Sequence, residues 1–200
     1  VALLVLVAGY LLSIGASSLS LAFFTDLPTG DVSKPGGMRH AIEGTLILVA
    51  LAGAIGVPVG VLAGVYLSEY AAEGFLAGPT RFIADVLAGV PSIVVGILGY
   101  ELVVVPLGHY NGWAGALALA FIMIPIVART TEEMLRLVPN SYREGSMALG
   151  ATKSQTILRV VVPAAGGTIV TGIMLAMARV AGETAPLLFT ALGSRLLTRD

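Results

Sequence analysis

An all-α, polytopic membrane bundle is the fold this sequence predicts, and three observations predict it. Of 200 residues, 56% are hydrophobic and only 12% are charged, with a mean hydropathy of +0.94. A water-facing domain carries about 25% charged residues, so lipid is the solvent for most of this surface. Five apolar stretches are about as long as a span needs, because about 20 helical residues at about 1.5 Å each cross a hydrocarbon core of about 30 Å. Nothing alternates with period two over repeated segments of about 10 residues, which disfavours a β-barrel. Helices satisfy their own backbone groups in lipid and are the economical reading.

The expected spans run in order. Val1–Phe24 has no charge; it is too long for the apolar region of a typical signal peptide and reads as a spanning helix whose natural start lies upstream of Val1. Gly44–Ser68 is 25 residues without charge, and Gly53, Gly56, Gly60 and Gly64 share one helical face. That face permits close helix approach, although spanning helices are rich in glycine generally. Val86–Leu107 is apolar except for Glu101, which reads as solvated at the interface. Tyr110–Ala128 is uncharged for 19 residues, and Gly166–Leu192 is apolar except for Arg179 and Glu183. Five spans leave the two ends on opposite sides, and a sixth helix is expected beyond Asp200.

The connections set the orientation. Thr25–Glu43 is irregular, with Gly30, Pro35, Gly36 and Gly37; Glu69–Asp85 is short and mixed; Gly108–Asn111 is a tight turn. Arg129–Val162 is the long polar excursion. Placing it in the cytoplasm puts six basic residues inside (Arg81, Arg129, Arg136, Arg143, Lys153, Arg159) against four outside (Lys34, Arg39, Arg195, Arg199), a small positive-inside bias.

Pro139–Pro163 is the informative stretch. Ser141-Tyr142-Arg143-Glu144 fits a capping box, opening a short helix from Tyr142 to Leu149. Gly150 ends it, since glycine takes the left-handed conformation at low cost. Thr152-Lys153-Ser154-Gln155 is a second capping box that starts a helix toward Val160, and Pro163 marks the start of the last span. A short helix projecting from the bundle can sit in a cleft on a partner and move the spans with it; a plain amphipathic linker is the competing reading.

Several chemistries are excluded. The chain has no cysteine, so disulfides, thiolate metal sites and cysteine nucleophiles do not arise. His40 and His109 are far apart and read as solvated loop histidines, which gives no metal site. A net charge of −1 gives no basic footprint for nucleic acid. Gly145–Thr152 has the glycine spacing of a phosphate loop, but Ala151 stands where lysine is required and no strand precedes it. No nucleophile–base set is evident. The chain therefore reads as a non-enzyme without a cofactor, driven by a partner.

Glu144-Gly145-Ser146, three residues, Gly150, nine residues, then Val160-Val161-Val162-Pro163 resembles the signature loop of binding-protein-dependent ABC importer permeases. That pattern is Glu-Ala-Ala, three residues, Gly, nine residues, Ile-x-Leu-Pro; the departures are small or aliphatic exchanges. The resemblance implies the type I importer fold, a cytoplasmic coupling loop (Ser141, Glu144, Gly145, Ser146, Gly150, Val160, Pro163) seated on ATP-binding subunits, and a transmembrane domain over residues 36–200 after an N-terminal helix and external loop over 1–35. Gly36-Gly37, Ala41–Thr45, Tyr66–Tyr70, Val90–Gly96 and Arg179–Pro186 look like the phosphate importer permeases of the PstA type. That likeness implies a second permease subunit, an extracytoplasmic phosphate-binding protein and a place in the cytoplasmic (inner) membrane.

Arg179 and Glu183 fall inside the last expected span, four residues apart and within ion-pair reach on one face. A charge at mid-bilayer costs about 2.5–3.5 kcal/mol on insertion scales and persists where it is paired or lines a polar path. As a substrate path, Arg179 would match the oxygens of phosphate, Glu183 would hold and partly neutralise it so that the anion is released, and Thr184 would add a hydroxyl. A purely structural pair is the alternative. Sulfate or molybdate would suit such a site as well as phosphate, and a non-transporting scaffold that recruits a cytoplasmic protein is the remaining rival.

Overall fold

The computed structural model describes residues 1–16, 19–28, 36–70 and 77–191. Among them every regular element is helical. The chain divides into two compact units, one holding residues 1–46 and the other 47–191.

In the first unit α1 covers Ala2–Gly15 and buries no residue. Its 14 residues rise about 21 Å, short of the bilayer core. A second helix, α2, covers Leu21–Thr25; Ser20, in extended conformation, accepts from the Phe23 N–H and so caps a new helix instead of continuing the old one. The apolar run 1–24 is thus two helices, not the single span expected. Carbonyls of Phe23 and Asp26 accept from the N–H groups of Met38 and Arg39, at 2.8 and 3.3 Å, where the next helix begins. Gly37 lies there against the Asp26 carbonyl, with no room for a Cβ. That next helix, α3, runs Arg39–Glu69, so His40 is in its first turn and half-buried, not in a loop.

In the second unit, Gly56, Gly60 and Gly64 of α3 are buried against α7 (Gly112–Arg136). A Cβ on Gly60 would lie 2.7 Å from the Val127 Cβ, and one on Gly64 would lie 2.6 Å from both Ala128 O and Thr131 Cβ. The glycine face is therefore a helix–helix seam. The most buried helix is α7, and the main core gathers around it: Ala52 from α3, and Leu119, Met123, Val127, Ala176 and Val180. Asn111 starts α7 by accepting from the Ala114 N–H at 2.8 Å. The helix runs eight residues past Ala128, where a loop was expected. Three of its charges are paired in place: Glu132, 3% exposed, meets Arg81 and Arg136 at 3.0 and 2.6 Å, and Arg129 pairs with Asp85.

The third expected span is broken. Val86–Leu107 takes in only the end of α4 (Ala77–Gly89), which begins inside the stretch expected as a connection, and then α5 (Ser92–Gly99), which continues through a π-helical turn (Tyr100–Val104) into α6 (Val105–Leu107); the two arms meet at 100°. Pro91 causes the break, because it disfavours helical geometry at Val90 and cannot donate a backbone hydrogen bond. Glu101 is exposed within the π turn.

After α7 come α8 (Asn140–Ala148), α9 (Lys153–Thr156), a second π turn (Ile157–Val161) and α10 (Val162–Ala181). From Lys153 to Ala181 the helix is continuous. The chain then breaks at Gly182–Thr184 and resumes as α11 (Ala185–Thr190), where Pro186 sits in the first turn. The last expected span, Gly166–Leu192, is therefore one long helix that starts earlier and stops earlier, followed by a short one packed on α5. Among the described residues three helices are long and apolar enough to cross a membrane, Arg39–Glu69, Gly112–Arg136 and Lys153–Ala181, with the bent pair as a fourth crossing or a re-entrant loop.

Candidate coupling loop and ion-paired path

The loop is built on two helix ends. Pro139 occupies the N-cap of α8, so the helix begins at Asn140, two residues before the Tyr142 start that the expected capping box implies. Ser141 consequently stands inside the first turn, exposed, rather than capping Glu144. The other end follows expectation. Gly150 has φ +88°, its N–H donates to Met147 O at 2.9 Å, and the Ala151 N–H donates to Ser146 O at 3.3 Å. This pair of bonds is a Schellman motif, which satisfies the last carbonyls of α8. Two residues on, Thr152 and Gln155 form the complete capping box that starts α9.

Glu144 and Gly145 are exposed on α8, free to meet a partner surface. Ser146 turns inward, with its Oγ 2.9 Å from Thr156 Oγ1 in α9. Val160 is half-buried in the π turn and Pro163 lies in the first turn of α10. The Ser146–Thr156 contact thus ties α8 to α9, and the helix that α9 begins is continuous to Ala181.

Arg143 was not singled out by sequence reasoning. Its Nη2 and Nε donate to the two carboxylate oxygens of Glu69 at 2.6 and 3.1 Å. That hydrogen bonding holds the Arg143 guanidinium above its ordinary pKa, against the opposing effect of partial burial. Charges of opposite sign at the ends of two elements were the available signal, but Glu69 and Arg143 are 74 residues apart.

Arg179 and Glu183 do come together, with Nη2 and Oε1 3.8 Å apart. They do not lie in the middle of a span. Arg179 is in the last turn of α10 and 62% exposed, Glu183 follows the helix end and is 17% exposed, and Thr184 is exposed at the start of α11. A cation in the last turn also complements the helix dipole. From Lys153 to Arg179 the continuous helix rises about 39 Å, so loop and ion pair occupy opposite ends of one rod.

Residues 56–200 match the family described as binding-protein-dependent transport system inner membrane component. The phosphate transport system permease protein PstA of Yersinia pestis is 48% identical over 186 residues, covering 93% of this chain and 63% of that protein. The PstA protein of Haemophilus influenzae is 46% identical over 188 residues, covering 94% and 66%. PstA 1 of Mycobacterium tuberculosis is 49% identical over 154 residues, covering 76% and 50%. The chain thus spans slightly less than two thirds of the length of the first two relatives. In fold it is similar to a chain of the MetNI methionine ABC transporter in an inward-facing conformation, with a TM-score of 0.65 and 24% identity over 78% of this chain and 74% of that one. By these matches, together with the helical bundle and the capped loop, the chain belongs to the family of binding-protein-dependent transport system inner membrane components.

Proposed function

We propose that this chain is a permease subunit of an ATP-driven importer that moves inorganic phosphate across the cytoplasmic membrane, with residues 36–200 as its transmembrane domain. The observation that carries the reading is the capped α8–Gly150–α9 loop, which has the signature spacing and runs without interruption into a 29-residue helix. ATP binding would close a pair of cytoplasmic ATP-binding subunits around α8, and the rod from Lys153 to Ala181 would carry that displacement to its far end. There Arg179 is exposed enough to meet an anion and has Glu183 beside it to moderate the charge. The naming of relatives at 45–49% identity as phosphate permeases supports phosphate over other oxyanions.

The transporter would also need a second permease subunit and an extracytoplasmic phosphate-binding protein. The test is uptake of labelled phosphate into vesicles holding the assembled transporter, with sulfate and molybdate as competitors. Competition by unlabelled phosphate alone supports the reading. Suppression by sulfate or molybdate keeps the importer and removes phosphate as its substrate. No uptake by an assembly that hydrolyses ATP favours a membrane scaffold.

A further inference from the structure

On a helix whose neighbouring residues Ser141, Tyr142, Glu144 and Gly145 are all exposed, Arg143 turns inward and is only 18% exposed. Its guanidinium joins three elements. Glu69, the last residue of α3 and 6% exposed, receives two of its N–H groups. Leu135 O, in the last turn of α7, accepts at 3.0 Å, and Val138 O, in the linker, accepts at 2.7 Å. A bidentate arginine–carboxylate contact fixes orientation as well as distance. Lysine offers donors from a single nitrogen and does not reproduce that fork. A second, weaker contact runs alongside: Tyr70, just past α3, has its hydroxyl 3.4 Å from Ser154 Oγ and its ring 5.1 Å from Lys153 Nζ. Only residues 137–139 separate α7 from α8, and without a strut such a linker would absorb movement of α8.

We infer that Arg143, anchored on Glu69, is the positioning residue through which α8 moves the adjoining ends of α3 and α7 as one body. This inference rests on the coupling role proposed for α8. Glu144 and its exposed neighbours meet the partner; Arg143, on the opposite side of the helix, passes the displacement on.

The test uses the assembled transporter in vesicles. Because this chain has no cysteine, spin labels can be placed at Leu62→Cys on α3 and Leu149→Cys after α8, both on exposed positions (69% and 91%). In the parent the label-to-label distance keeps its width and mean on ATP binding, since both ends move together. In Arg143→Met and Glu69→Gln the distribution broadens or shifts on ATP binding, and phosphate moved per ATP hydrolysed falls about fivefold or more. Arg143→Lys, which keeps the charge and loses the fork, falls in between. A purely structural role would lower the thermal midpoint while leaving the phosphate-to-ATP ratio of the folded fraction unchanged. That result, or an unchanged distance distribution in Arg143→Met, overturns the inference. A distance held by Arg143 in an assembly that transports no phosphate leaves the strut standing and removes the substrate reading instead.

Discussion

Gly96 and Pro186 touch backbone to backbone: a Cβ built on Gly96 would lie 2.6 Å from Pro186 Cα and 3.1 Å from its carbonyl oxygen. Both residues belong to short helices that follow breaks, α5 after Pro91 and α11 after Gly182–Thr184. Two interrupted segments therefore meet at the one residue type without a side chain. Gly96→Ala forces the two helices apart and is expected to destabilise by about 1–3 kcal/mol, read as a lower thermal midpoint of the purified protein. Gly166→Ala and Gly167→Ala, whose added Cβ meets nothing within 4 Å, are the controls. Relief of helical glycine there is expected to stabilise by up to about 1 kcal/mol. Equal losses at all three positions would refute the close-contact account.

The seam of α3 on α7 makes a second prediction. Gly64→Ala places its Cβ 2.6 Å from Ala128 O and the Thr131 Cβ, and Gly53→Ala finds its nearest neighbour at 3.8 Å, the Met177 Cε. The first substitution is expected to cost about 1–3 kcal/mol, and the second to be neutral or to stabilise by up to about 1 kcal/mol. Unfolding in denaturant separates them; a neutral Gly64→Ala would show that the helices do not pack through this face.

Gly150 makes a third. Its Cβ position is open, so the cost of substitution is backbone strain alone at φ +88°. Gly150→Ala should cost about 1 kcal/mol or slightly more and Gly150→Asn less, because asparagine tolerates the left-handed region. Amide hydrogen exchange at residues 149–152 should speed up in that order, and unchanged exchange in Gly150→Ala would contradict the C-cap.

Glu132 is almost fully buried and serves two arginines, Arg81 from α4 and Arg136 one turn on. Glu132→Gln removes the charge and leaves both guanidinium groups without their counter-ion. Hydrogen bonds to charged groups contribute about 1.5–3 kcal/mol, and a loss of that size is expected, measured as a lower unfolding midpoint. Glu133→Gln, on the exposed side of the same turn, should be neutral.

How much of this was legible in the sequence depends on the range of the interaction. Local signals read well: Thr152 with Gln155, and Gly150 as a helix stop, are decided within four residues of chain. Ser141 misled because Pro139 starts α8 two residues early, and a capping frame shifted by two positions leaves Ser141 inside the first turn. Apolar length located the spans but not their breaks. Pro91 and Pro186 sit inside stretches apolar enough to read as single spans, and hydropathy does not register a missing N–H. The charges of 129–136 looked like loop because their neutralising partners, Arg81 and Asp85, come from another helix. Arg143 with Glu69 failed to show for the same reason. For Arg179 and Glu183 the spacing did give the pair, while its place at a helix end followed from Gly182 and Pro186, which end α10 sooner than the apolar run does.

The most direct test of the account measures phosphate uptake and ATP hydrolysis together, in the same vesicles, for the parent and for Arg179→Gln. Arg179 stands about 39 Å along the helix from Lys153, where α9 leaves the α8–Gly150 turn, so the substitution should leave assembly and ATP hydrolysis in place and abolish uptake of labelled phosphate. Phosphate uptake equal to that of the parent in Arg179→Gln would contradict the account, because the exposed guanidinium at the far end of the rod would then play no part in moving the anion.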